Sequence, residues 1–217
     1  MSFALNNHHE DEERHVSLLK QARPDHPIHE LFVKRWSPYA FSDQSIPEED
    51  GRTLFEAARW SASNFNEQPW RYIVATRKDP QEFERLLSCL DEFNQPWAKT
   101  APVLALGCAA LKFARNGQPN TTAEHDLGAA STYLSMEATN RGLSVHQMAG
   151  ILPDRAREVY RIPDGFRPLT CLAIGYVGNP NTLPEKYKEV DLRPRQRKSL
   201  SEFVFGGQWG TMSHIVK

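Results

Sequence analysis

Between a helical pattern and an apolar strand the chain runs Ser61-Ala62-Ser63-Asn64-Phe65-Asn66-Glu67-Gln68-Pro69-Trp70, hydroxyls and carboxamides closed by a proline. Carboxamides both donate and accept, so Asn64, Asn66 and Gln68, with Ser63 beside them, can follow a ring edge on which carbonyl and N–H groups alternate. The pyrimidine rim of a flavin is such an edge. The same residue types also make an ordinary polar turn, and on composition alone that reading is the stronger.

A second set is cationic. Arg35 offers a planar fork for phosphate oxygens and Ser37 a short hydroxyl donor, while Arg193-Pro194-Arg195-Gln196-Arg197-Lys198 gathers four cations in six residues. The sequence has neither a Gly-x-Gly-x-x-Gly turn nor a Walker loop, so an anion would be held by side-chain charge and hydroxyl. Taken alone, Arg35 reads as a solvated cation at a helix end. The tail cluster could equally be a solvated arm or a nucleic-acid patch. A net charge of -1, with no basic helix or exposed aromatic series, argues against nucleic acid.

With their neighbours, these segments resemble the FMN-dependent nitroreductase family, NAD(P)H nitroreductase-like oxidoreductases. Trp60 before the Ser61 loop and Arg71-Tyr72-Ile73-Val74-Ala75 after it match the family's signature loop. Arg35-Trp36-Ser37 followed by Phe41 resembles its N-terminal Arg-x-Ser segment, and the run from Arg193 to Lys198 its second phosphate clamp. Asp126-Leu127-Gly128-Ala129-Ala130, opening a helix that ends at Arg141-Gly142-Leu143, resembles its central helix. Met148-Ala149-Gly150 falls where that family turns backbone amides toward the flavin. The likeness covers roughly residues 28 to 209.

The resemblance implies an α+β, α/β-like fold of nitroreductase type: three layers, a mixed central sheet flanked by helices, and a homodimer with FMN at the interface. It assigns Arg35, Trp36 and Ser37 to the FMN phosphate, with Arg195, Arg197 and Lys198 closing on it from the other side. Ser63, Asn64 and Asn66 would approach the ring, with Gln68 fixing the loop. Met148 and Ala149 would act by position and Gly150 by letting backbone close on the flavin plane. Asn94 and Trp97 would lie near the mouth of the substrate pocket. Tyr39 departs from the pattern, because many relatives carry Arg or Lys there, beside flavin N1 and O2. A neutral phenol there disfavours the reduced, anionic flavin, so Tyr39→Arg is expected to raise the midpoint potential.

The implied activity is NAD(P)H-dependent reduction of nitroaromatic, quinone or related electron-poor compounds. NADH or NADPH would bind transiently, because no dinucleotide-binding fingerprint is present, and kinetics would be ping-pong. No side chain need act as a general acid or base, since the cofactor carries the redox chemistry. The competing reading is a non-catalytic flavin-binding or interaction protein of the same fold, and Tyr39 is what sustains it.

Elements able to position these residues follow from periodicity. Residues 1–27 read as a polar arm with one short helix near Val16 to Gln21, residues 28–190 as the flavin-binding domain, and 191–217 as an extended basic tail completing the site. Pro47-Glu48-Glu49 starts a helix that turns Leu54, Phe55, Ala57 and Ala58 inward. Asp79-Pro80 starts another, buried along Phe83, Leu86, Leu87 and Leu90. Thr122 to Arg141 is the longest helix and has two apolar stripes, Leu127, Ala130, Leu134, Ala138 and then Ala129, Tyr133, Met136. Two stripes need two partners, one of them a second subunit. A further helix spans Pro153 to Tyr160, and four apolar strands are expected, including Tyr72–Thr76, Pro102–Ala110 and Leu169–Val177.

Composition sets the outer bounds. A chain of 217 residues, 40% hydrophobic and 24% charged, can bury about 70% of its unfolded surface as one domain. Cys89, Cys108 and Cys171 are odd in number and each sits in an apolar stretch, which suits reduced core thiols. The longest apolar run, Val103 to Leu111, is too short to span a bilayer, and the N-terminus lacks a secretory core, so a cytoplasmic protein is expected. The histidines His8, His9, His15, His26 and His29 are too irregularly spaced to suggest a metal site.

Overall fold

The computed structural model describes residue 16 and residues 18–217. Their helices, in chain order, are α1 (Glu30–Lys34), α2 (Glu48–Arg59), α3 (Pro80–Leu87), α4 (Gln95–Ala98), α5 (Ala123–Asn140), α6 (Pro153–Tyr160) and α7 (Glu185–Asp191). The strands are β1 (Trp70–Thr76), β2 (Val103–Ala110), β3 (Ser144–Met148) and β4 (Phe166–Gly175), in the sheet order β1-β2-β4-β3.

Side-chain alternation along the two central strands builds two cores, one on each face. Leu104, Leu106, Cys108, Cys171 and Ala173 join Phe83, Leu86, Trp97 and Tyr187 on the side of α3, α4, α6 and α7. Ala105, Ala109, Leu172 and Ile174 meet Leu54, Ala58, Leu127, Ala130 and Leu134 on the side of α2 and α5. The result is helix, sheet, helix: the expected three layers. All three cysteines are free and buried in the first core. Burial pushes the Cys171 thiol up to about 12 and that of Cys108 up to about 11.

The helices form where their termini are supplied. Asp79 caps α3 by accepting the N–H of Glu82 at 3.1 Å, with Pro80 opening the first turn. Glu48, Glu49 and Asp50 favour the positive end of α2. Arg141 ties the end of α5 to the start of α2 by bonding Glu137 and Asp50, each at 2.7 Å. Gly142, at φ +73, then takes the left-handed turn that stops α5.

Three expectations need correction. Every pairing in this sheet is antiparallel, whereas a mixed sheet was expected. The strand that no range had located is β3, whose Ser144, His146 and Gln147 break any apolar run. It nevertheless pairs with β4 from Ser144↔Gly175 to Met148↔Cys171. The tail is extended and basic only to Lys198. Beyond it come a capped turn at Leu200–Glu202 and a bridge between Phe205 and Met212 that leave Phe203, Trp209 and Ile215 exposed.

The arm also differs from a free extension. Residues 1–15 and 17 lie outside the described residues, and with them His8, His9 and His15; Val16, Leu18 and Leu19 are helical as expected. Lys20 is only 6% exposed, and the N–H of Ala22 bonds the Val33 carbonyl at 3.0 Å. Among the described residues no helix is long and apolar enough to cross a membrane.

Candidate functional site

The loop between α2 and β1 is held in a conformation that costs energy. Phe65, Asn66 and Gln68 all have positive φ, at 52, 56 and 51°, which for residues with a Cβ costs on the order of 1 kcal/mol each. The surroundings repay it. Asp126, in the first turn of α5, accepts the N–H of Asn64 at 3.1 Å; Ser63 Oγ accepts that of Gln68 at 3.0 Å; and Gln68 Nε2 donates to the Asn66 carbonyl at 3.1 Å. Gln68 thus ties the loop to itself through Ser63 and Asn66. The side-chain amides of Asn64 and Asn66 bond nothing among the described residues and stay available to a ligand.

This loop is joined to the segment between β2 and α5. Glu67 Oε1 accepts the N–H of Ala114 at 2.7 Å, and Phe65, 70% exposed, meets the Phe113 ring at 6.0 Å. The Arg115 guanidinium lies 4.2 Å over Phe65 and 5.4 Å from Phe113.

The cations converge at another corner. Arg35 Nη1 donates to Ser37 Oγ at 3.4 Å, and Arg195 Nη1 is oriented by the carbonyls of Lys20 and Val33 at 3.1 and 2.8 Å. Burial first, and then Arg197 nearby, lowers the Arg35 pKa; burial, then Arg35 and Arg197, lowers that of Arg195. No carboxylate pairs with any of the three among the described residues. Three mutually repelling guanidiniums without a counter-charge fit a phosphate. Arg197 is exposed and bonds only the Gln196 carbonyl, while Lys198 is exposed and makes no contact.

Two expected residues are core rather than site. Trp97 is fully buried and Asn94 is 6% exposed, so neither lines a pocket mouth. Asn94 Oδ1 accepts from Trp97 Nε1 at 3.2 Å, and its Nδ2 donates to Asp91 and to the Gly150 carbonyl. These bonds lock the turn after α3 onto the turn after β3. Trp36 is likewise buried, with the Lys20 ammonium 5.1 Å from its ring centroid, so its indole is a platform and not a ligand contact.

At the turn after β3, Met148 is buried. The amides of Ala149 and Gly150 donate to no acceptor among the described residues, which leaves both for a ligand oxygen or nitrogen. The reason for glycine differs from the one expected. A Cβ on Gly150 would stand 2.1 Å from Asn94 Nδ2 and 2.3 Å from Asp91 Oδ2, so the close approach is to those side chains.

Tyr39 packs into an aromatic box, its ring centroid 4.9 Å from Trp97, 4.6 Å from His146 and 5.4 Å from Tyr187. Its N–H and that of Ala40 both bond the Asp191 carboxylate. Sequence reasoning missed His146. Its Nδ1 lies 2.8 Å from the Pro38 carbonyl, and burial, reinforced by Arg35 against that hydrogen bond, pushes its pKa down to about 4. No motif flags a single histidine on a short polar strand.

Comparison with known proteins bears on this arrangement. The sequence model described as the Nitroreductase family matches residues 32–88 and 76–176. An uncharacterised 15.4 kDa protein of Mycolicibacterium smegmatis is 37% identical over 133 residues, 60% of this chain and 86% of that protein. The Major NAD(P)H-flavin oxidoreductase of Aliivibrio fischeri is 32% identical over 93 residues, 42% of this chain, which spans only 43% of that relative's length. A crystal structure described as an oxidoreductase containing FMN superposes with a TM-score of 0.81 at 35% identity, over 86% of this chain and 95% of the other.

Proposed function

This chain belongs to the nitroreductase family, and from that premise we propose that two copies of it bind FMN between them and use NADH or NADPH to reduce nitroaromatic, quinone or related electron-poor compounds. FMN, when bound, supplies the ring that accepts and returns hydride. The chain itself binds and orients. Arg35, Ser37, Arg195 and Arg197 hold the phosphate; Ser63, Asn64 and Asn66 follow the ring edge; the Ala149 and Gly150 amides donate from the other side.

The observation that carries this reading is the uncompensated trio Arg35, Arg195 and Arg197 in a family of flavin enzymes. Topology argues for the second copy. The Ser63 loop enters β1, at one edge of the sheet, whereas Pro38 contacts His146 on β3, at the other. Three strand spacings separate those edges, about 14 Å. Through the register, Trp70 aligns by way of Ala109 with Arg167 and His146 with Ala173, a further offset of about 20 Å along the strands. One mononucleotide does not bridge that diagonal, so the ring loop and the phosphate trio of a single site come from different copies. The second stripe of α5 supports the pairing, since Tyr133 is 47% exposed and Ala129 and Met136 are only partly covered.

The donor stacks on the open ring face and leaves before the oxidant enters, so the order is ping-pong. The test is to mix the protein with FMN, NADPH and menadione and follow absorbance at several fixed menadione concentrations. Parallel double-reciprocal lines are expected. A stable yellow complex that consumes no NADPH would favour a flavin-binding protein without turnover.

A further inference from the structure

Lys20 stands where three separate parts of the chain meet. Its ammonium donates to the carbonyls of Val190 at 2.8 Å and Arg193 at 2.7 Å, closing the C-terminal end of α7, while its own carbonyl accepts from Arg195 Nη1 at 3.1 Å. The same guanidinium nitrogen bonds the Val33 carbonyl, two residues before Arg35. The ammonium also lies 5.1 Å from the Trp36 ring centroid. Beneath it Asp191, 1% exposed, accepts the N–H groups of Tyr39 and Ala40.

A lysine that is 6% exposed in an otherwise polar arm requires a reason. Burial lowers its pKa, Asp191 raises it and Arg195 lowers it further, so the carboxylate is what favours a charged ammonium at this junction. The carbonyls at the end of α7 carry partial negative charge, and a cation placed there is stabilised. Arg195, four residues after Asp191, thereby leaves the helix on a fixed course, held by the carbonyls of Lys20 and Val33 close enough to Arg35 for that charge to lower its pKa.

We propose that Lys20 is a positioning residue of the phosphate site: by fastening α7 to the N-terminal arm it holds Arg195 beside Arg35, so that the arm is part of the anion clamp. This rests on the FMN reading above. Three guanidiniums repel one another, and without a fixed backbone they would splay into solvent. Lys20 supplies the fixation without touching the ligand.

The test compares FMN with riboflavin, which lacks the phosphate, by titration of full-length apoprotein. In Lys20→Met the FMN dissociation constant should rise about tenfold, about 1.4 kcal/mol, with riboflavin affinity unchanged within about twofold. Lys20→Gln, which keeps a donor but no charge, should fall between. A merely structural lysine would weaken both ligands alike and leave the FMN-to-riboflavin ratio at its wild-type value. That result, with Arg195→Ala lowering the ratio, would overturn the role of Lys20 alone. An unchanged ratio in Arg195→Ala as well would overturn the phosphate site and the proposal together. If neither Lys20 variant folds, Lys20 serves the fold rather than the clamp and the proposal fails.

Discussion

The carboxylate of Asp126 accepts the backbone N–H of Asn64 at 3.1 Å, so the first turn of the longest helix braces the strained loop that precedes β1. A charge-assisted bond of this kind contributes about 1.5–3 kcal/mol. Asp126→Ala should free the loop to relax its left-handed residues, lower the melting temperature by several degrees and weaken both FMN and riboflavin. Asp126→Asn, which keeps an acceptor, should lose less. Equal flavin affinity in Asp126→Ala and the parent would show that the loop does not hold the ring.

Gly150→Ala places a methyl group where Asn94 Nδ2 and Asp91 Oδ2 already stand. Relief requires breaking the bonds of Asn94 to Asp91 and to the Gly150 carbonyl, at a cost of about 1–3 kcal/mol. Thermal unfolding should detect it in apoprotein, with no flavin present. An unshifted melting curve would mean that the turn gives way freely.

The half-buried His146 makes stability depend on pH. Its folded pKa is about 4 against an ordinary 6.5, so below pH 6.5 the unfolded chain binds the proton first and the folded state loses ground until about pH 4. Stability should therefore fall across that window by up to about 3 kcal/mol and be flat above it as far as this group is concerned. His146→Gln should flatten the part of the curve between pH 4 and 6.5, measured by urea unfolding. An unaltered slope would place the titration elsewhere.

Tyr133→Asp sets a charge on the uncovered face of α5 without disturbing the buried stripe of Leu127, Ala130 and Leu134. Sedimentation should show a single copy, and bound flavin should be lost with the assembly. Monomers that retain flavin would argue that one chain completes its own site.

Tyr39→Arg tests the departure from the family pattern and carries a structural cost, because the ring leaves its contacts with Trp97, His146 and Tyr187. The bound flavin's midpoint potential should rise while stability falls by about 1–3 kcal/mol. A potential that stays put or drops would place position 39 out of reach of the ring's N1 and O2.

The parts legible in the sequence are those where local chemistry and periodicity agree. The α5 stripe of Leu127, Ala130, Leu134 and Ala138 is fully buried, and the α3 stripe of Phe83, Leu86 and Leu87 lies in the same core as Trp97. The turn from Ser61 to Trp70 was legible through its polar residues and closing proline, though not its three left-handed residues, since none is glycine. Asn94 and Trp97 were misread because a resemblance assigns a neighbourhood, while burial is decided by which carbonyl, here that of Gly150, comes within reach. Strand β3 was obscured by its polar residues, which are satisfied by tertiary partners: His146 by Pro38, and Gln147 by Ser131 and Ser135. Lys20 has no local signal at all. Its partners lie about 170 positions away, a pairing that only the folded chain creates.

The proposed sharing of each site, carboxamide loop from one copy and arginine trio from the other, has a genetic consequence. Under the proposed pairing, a copy lacking the trio and a copy lacking Asn64 and Asn66 would each be defective in both sites of their own pairs, yet a mixed pair would assemble one site with every group in place. Two separately dead alleles expressed together should thus complement each other, restoring at most one working centre in each mixed assembly.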